Sequence, residues 1–71
     1  MAASKTILIC DDDLGMRDTI AAILKRDYRV LTVSSGEAAL TLLKNEDVDL
    51  ILLDVRLPGI SGFDGIVVEL V

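Results

Sequence analysis

The chain has 71 residues, 12 acidic against 7 basic side chains, no histidine and a single cysteine, so it can form one small domain and not two. Without histidine, Ser/His/Asp and Cys/His catalysis and histidine-metal sites are excluded, and Cys10 alone can build neither an internal disulfide nor a cysteine-cluster zinc site. A net charge of -5 argues against direct nucleic-acid binding, no apolar run approaches the roughly 20 residues of a membrane helix, and Met1 to Thr6 lacks a signal-peptide layout, so a cytoplasmic protein is expected.

Lys5 to Cys10 ends in Ile7-Leu8-Ile9-Cys10, a short apolar run that stops at three aspartates, Asp11, Asp12 and Asp13. Such a run suits a strand covered on both faces, as in a parallel sheet. From Leu14 the period changes: Met16, Ile20, Ile23 and Leu24 line one face of a helix. Asp13 can cap its start, and Lys25 and Arg26 fall where positive charge suits the last turn. Tyr28 to Val33 is predicted as a second strand. Ser34 and Glu37 have the spacing of a capping box, opening a helix whose apolar stripe is Ala38, Ala39, Leu42 and Leu43. Leu50 to Leu53 is a third strand and ends at Asp54. Beyond it, Pro58-Gly59 signals a turn, and Ser61-Gly62-Phe63-Asp64 opens a segment, predicted as the start of a third helix, that runs to Val71.

The 18 residues between Cys10 and Arg29 and the 16 between Val33 and Leu50 both suit helical crossovers joining parallel strands. In an open parallel sheet the ligand site lies outside the carboxyl ends of the strands. If the first strand sits between the second and third, Asp11, Asp12 and Asp13 stand beside Asp54 at that edge. Two unit charges about 4 Å apart repel by about 4 kcal/mol at an effective dielectric of 20, so the cluster takes up protons or recruits a cation. Oxygen ligands without His or Cys favour Mg²⁺, or else Ca²⁺ or Mn²⁺. With a metal to offset charge, an aspartate can act as a nucleophile toward phosphorus. Asp54 is the better candidate, since it stands alone at the tip of an apolar strand while the aspartate run can hold the metal. For Asp13 the plainer role of helix cap is favoured.

Two segments, Ile7 to Asp13 and Leu50 to Phe63, closely resemble the receiver domain of two-component response regulators. The pattern is an acidic pair after the first strand and, about 40 residues on, Asp54-Val55-Arg56-Leu57-Pro58 followed by Gly62. The resemblance implies an α/β, flavodoxin-like fold, here a β-α-β-α-β half-domain with a three-stranded parallel sheet in the order 2-1-3. Residues 1–71 would then be the N-terminal portion of a receiver, truncated in the third helix. It further implies that Asp54 takes a phosphoryl group from a sensor histidine kinase. Mg²⁺ would be held by Asp12 directly, by Asp11 largely through water, by Asp54, and by the backbone carbonyl of Arg56. The missing histidine would reside on the partner.

A complete receiver also carries a fourth-strand Ser or Thr and a fifth-strand Lys, and neither is present. Lys5, Lys25 and Lys44 lie at the opposite ends of their elements. Truncation would expose the outer edge of the third strand and favour a homo-oligomer, a two-fold dimer pairing third strands into a continuous sheet or exchanging elements. Ile66-Val67-Val68 makes an indifferent helix. Cys10 reads as a small buried hydrophobe, Met16 and Phe63 as core, and Arg17 and Arg56 as flanking the acidic edge. Two other readings are an aspartate-nucleophile phosphatase, which needs an Asp where Arg56 stands, and an interaction module with a vestigial acidic site.

Overall fold

The computed structural model of the chain describes residues 5–54 and 67–70. Five elements fall where the sequence places them: β1 (Thr6–Cys10), α1 (Leu14–Leu24), β2 (Arg29–Val33), α2 (Gly36–Leu43) and β3 (Leu50–Leu53). A further strand follows, β4 (Val67–Leu70). All pairings are parallel and the sheet order is β2-β1-β3-β4. The register sets Cys10 beside Val33 on one side and Leu53 on the other, so the strand ends are level.

Because β1 lies between two strands and between two layers of helices, every one of its residues is buried. Leu8 and Cys10 join Ile51, Leu53 and Ala39 of α2 in one core cluster, with Leu31, Val33, Leu42, Leu43, Val48 and Val68 around it. Ile7 and Ile9 alternate to the opposite face, on the side of α1, which packs on β1 and β2. Asp49 ties the amino end of the sheet. Its Oδ2 accepts from Thr6 N at 2.7 Å while its own N donates to Thr6 O at 2.9 Å, which joins β3 to β1 before the strand ladder begins. The exposed pair Arg29 Nη1 to Glu46 Oε2, 3.0 Å, links β2 to the end of α2 and, being solvated, adds little.

Several expectations are corrected. The sheet has four strands rather than three, and Val67–Leu70 is extended rather than helical. The physical reason is legible: Val67 and Val68 are β-branched, and the 13 residues between Leu53 and Val67 meet the dozen or so a parallel connection requires. Hence the outer edge of β3 is not open, being paired to β4 from Leu50↔Val67 to Leu53↔Leu70, so the exposed third-strand edge on which the predicted dimer relied is occupied.

The α1 stripe is only partly as predicted. Ile20 and Leu24 are half-buried, but Met16 and Ile23 are 50% and 65% exposed, and Arg17 and Ala21 are half-buried in their stead. Lys25 caps the C-terminus of α1, so the last turn itself holds no basic residue. At α2 the cap is Ser35, whose Oγ accepts from Ala38 N at 3.1 Å, one residue later than the Ser34-Glu37 box. Gly59, Gly62, Phe63 and the turn at Pro58 lie outside the described residues.

Candidate functional site

The carboxyl edge of the sheet is built by the ladder continuing one residue past β1 and β3. Asp11 N donates to Val33 O at 3.2 Å, and Asp54 N donates to Cys10 O at 3.0 Å. These bonds anchor two aspartates on adjacent strands, where the level register leaves them side by side. Both are buried, at 4% and 5% exposure, whereas Asp12 at the start of the loop is exposed.

Between β1 and α1 the chain turns within three residues. Asp11 Oδ1 accepts from Asp13 N at 2.8 Å, the local closure that aspartate makes readily. Asp13 Oδ1 accepts from Met16 N at 3.1 Å and Asp13 O from Arg17 N at 2.9 Å, so Asp13 is the N-cap of α1. Arg17, in the second turn, donates from Nη1 to Asp11 O at 2.8 Å.

One oxygen each from Asp11, Asp12 and Asp54 lie within 4.8 Å of one another. The structure thus brings together three of the four predicted carboxylates and assigns the fourth, Asp13, to helix capping. Arg56 lies outside the described residues. Ligand oxygens in one octahedron around Mg²⁺ stand roughly 3–4 Å apart, given metal–oxygen distances of about 2.1 Å. A cluster of this span, made only of oxygen donors, fits a small hard cation, directly or through bound water.

Cys10, directly beneath the cluster, is fully buried. Burial pushes its thiol above the ordinary value, and the nearby charges of Asp11 and Asp54 push it further in the same direction. A neutral, enclosed thiol is not a nucleophile. Ellman's reagent is therefore expected to leave the native protein unlabelled over a period that titrates one thiol per chain in guanidinium; rapid native labelling would contradict this packing.

Sequence reasoning missed the bond from Arg17 to the Asp11 carbonyl, although it placed Arg17 beside the acidic edge. It also missed Asp49 as a strand tie. The only signal for the latter was a carboxylate immediately before an apolar strand.

The model for the response regulator receiver domain matches residues 7–67. The hydrogenase transcriptional regulatory protein HoxA of Cupriavidus necator is 41% identical over 59 residues, covering 83% of this chain and 12% of that protein. The transcriptional regulatory protein AfsQ1 of Streptomyces coelicolor is 45% identical over 60 residues, covering 83% of this chain and 27% of that protein. Among solved structures, the chemotaxis response regulator CheY4 of Vibrio cholerae superposes with a TM-score of 0.74 at 28% identity, covering 87% of this chain and 52% of that one. The chain thus spans about half of that solved structure and about a quarter or less of these two curated relatives. With the parallel order β2-β1-β3-β4 and the aspartates at its carboxyl edge, these matches establish that the chain belongs to the receiver domain family of two-component response regulators.

Proposed function

We propose that residues 1–71 are the N-terminal portion of a receiver module that accepts a phosphoryl group on Asp54 from a sensor histidine kinase, with Mg²⁺ at Asp11, Asp12, Asp54 and the backbone carbonyl of Arg56. The observation that carries this reading is the convergence of three carboxylates within 4.8 Å, two of them buried at level strand ends. When bound, Mg²⁺ offsets negative charge on the aspartates and on the incoming phosphoryl oxygens.

The chain's own part is positional. The Asp54 N to Cys10 O bond holds the nucleophile on a rigid strand, and burial limits the water that would compete for phosphorus. A carboxylate oxygen of Asp54 forms the new bond to phosphorus as the bond from phosphorus to the donor's imidazole nitrogen breaks, and the released imidazole takes a proton from solvent. The group is received and later lost to water, so the module acts as a phosphoacceptor and not as a turnover enzyme. This reading places it in the cytoplasm with its kinase.

In β4, Val67-Val68-Glu69-Leu70 supplies no Ser, Thr or Lys, and Leu70 stands opposite Leu53, next to the acceptor position. These four residues bring no hydroxyl or ammonium group to the phosphoryl oxygens. This favours, as a second reading, an interaction module whose acidic site is vestigial.

Incubation with Mg²⁺ and acetyl phosphate, followed by intact mass, tests the proposal. One added phosphoryl group is expected, absent with EDTA and absent in Asp54→Asn. Mg²⁺ binding without an adduct would support the vestigial reading, and multiple turnover an aspartate-nucleophile phosphatase.

A further inference from the structure

We infer that Arg17 is a positioning residue for the cation site, acting through the peptide plane that joins Asp11 to Asp12; this rests on the reading of that site given above. Asp11 is the last residue held by the sheet, through its N–H to Val33 O. Asp12 follows it off the strand end, and its exposed carboxylate has to be aimed by the backbone.

A trans peptide is planar, so the direction of the Asp11 carbonyl also sets the Asp12 N–H and the place of the Asp12 Cα. The guanidinium of Arg17 donates to that carbonyl at 2.8 Å. One bond therefore orients the plane from which two of the three carboxylates project. Arg17 itself is held at its backbone, where its N–H donates to Asp13 O at 2.9 Å, the bond that closes the first turn of α1. A guanidinium donor makes a stronger bond to a carbonyl than a neutral one.

A positive charge at this edge also has an opposing effect, since it would compete with a divalent cation for the same carboxylates. The two effects predict opposite signs and can be separated. Magnesium affinity would be measured by calorimetry on the native chain, Arg17→Met and Arg17→Lys, with a thermal melt of each without metal. Positioning predicts an Mg²⁺ Kd about five- to twentyfold weaker in Arg17→Met. Arg17→Lys, which retains charge and a donor, should return to within about threefold of the native value.

Equal or tighter binding by folded Arg17→Met would overturn the inference while leaving the cation site standing. So would a variant that loses melting temperature alone, with its Kd unchanged. No Mg²⁺ binding by the native chain would instead overturn the site and this inference with it. Arg17→Gln, whose shorter amide cannot span the same distance, serves the comparison if Arg17→Met does not fold.

Discussion

Leu8→Ala is expected to cost about 3–5 kcal/mol in chemical denaturation, enough to leave much of the chain unfolded at 37 °C. Leu8 is fully buried at the centre of β1, level with Leu31 of β2 and Ile51 of β3. Truncation there loses the transfer free energy of the removed carbons and leaves a cavity that a central strand cannot close by moving. A domain of this length has a total stability of only about 4–10 kcal/mol. Leu8→Met, which nearly conserves volume, should cost less than about 1.5 kcal/mol. Met16→Ala is the informative contrast. By helical periodicity Met16 belongs to the core stripe, but it is 50% exposed, so its truncation should change stability by no more than about 0.5 kcal/mol. Equal losses at Leu8 and Met16 would show that α1 packs with a different face toward the sheet.

That contrast marks where sequence reasoning stops. Strands β1 and β3 were legible because apolar runs ending in aspartate have one sensible place, a central parallel strand with its carboxyl end at a site. Asp11, Asp12 and Asp54 could be placed at that edge for the same reason, and the level register sets their strand ends side by side. The rotation of α1 was not legible. Met16 and Ile23 share a predicted stripe with Ile20 and Leu24, but a helix lying over only two strands buries a narrower face, on which Arg17 and Ala21 join Ile20 and Leu24. The fourth strand was half legible. Ile66-Val67-Val68 read as a poor helix, but local propensity does not show that the adjacent edge of β3 offers unpaired backbone groups to whatever segment can reach it. The Arg17 bond depends on a long side chain folding back over a turn, which spacing alone does not reveal.

Without metal, Asp54→Asn is expected to stabilise the fold. The three carboxylates lie within 4.8 Å of one another, and like charges at that separation repel. Asp12 is exposed and screened, so most of the relief comes from the buried neighbours Asp11 and Asp54. A gain of about 1–3 kcal/mol at low ionic strength should raise the melting temperature by roughly 5–20 °C, given about 4–8 °C per kcal/mol for a domain of this size. In millimolar Mg²⁺ the order should narrow or reverse, because a ligand that binds only the folded state stabilises by RT ln(1 + [L]/Kd) and the Asn variant, having lost one ligand oxygen charge, has the larger Kd. Asp49→Asn provides the control. It removes the same unit of charge from a chain of net charge -5, but Asp49 is the charged acceptor for Thr6 N, so this variant should gain nothing in EDTA. If the two variants rise together, relief of overall charge explains the effect; if Asp54→Asn melts below the native chain in EDTA, the cluster is not a site of mutual repulsion, and the energetic case for a cation at this edge fails.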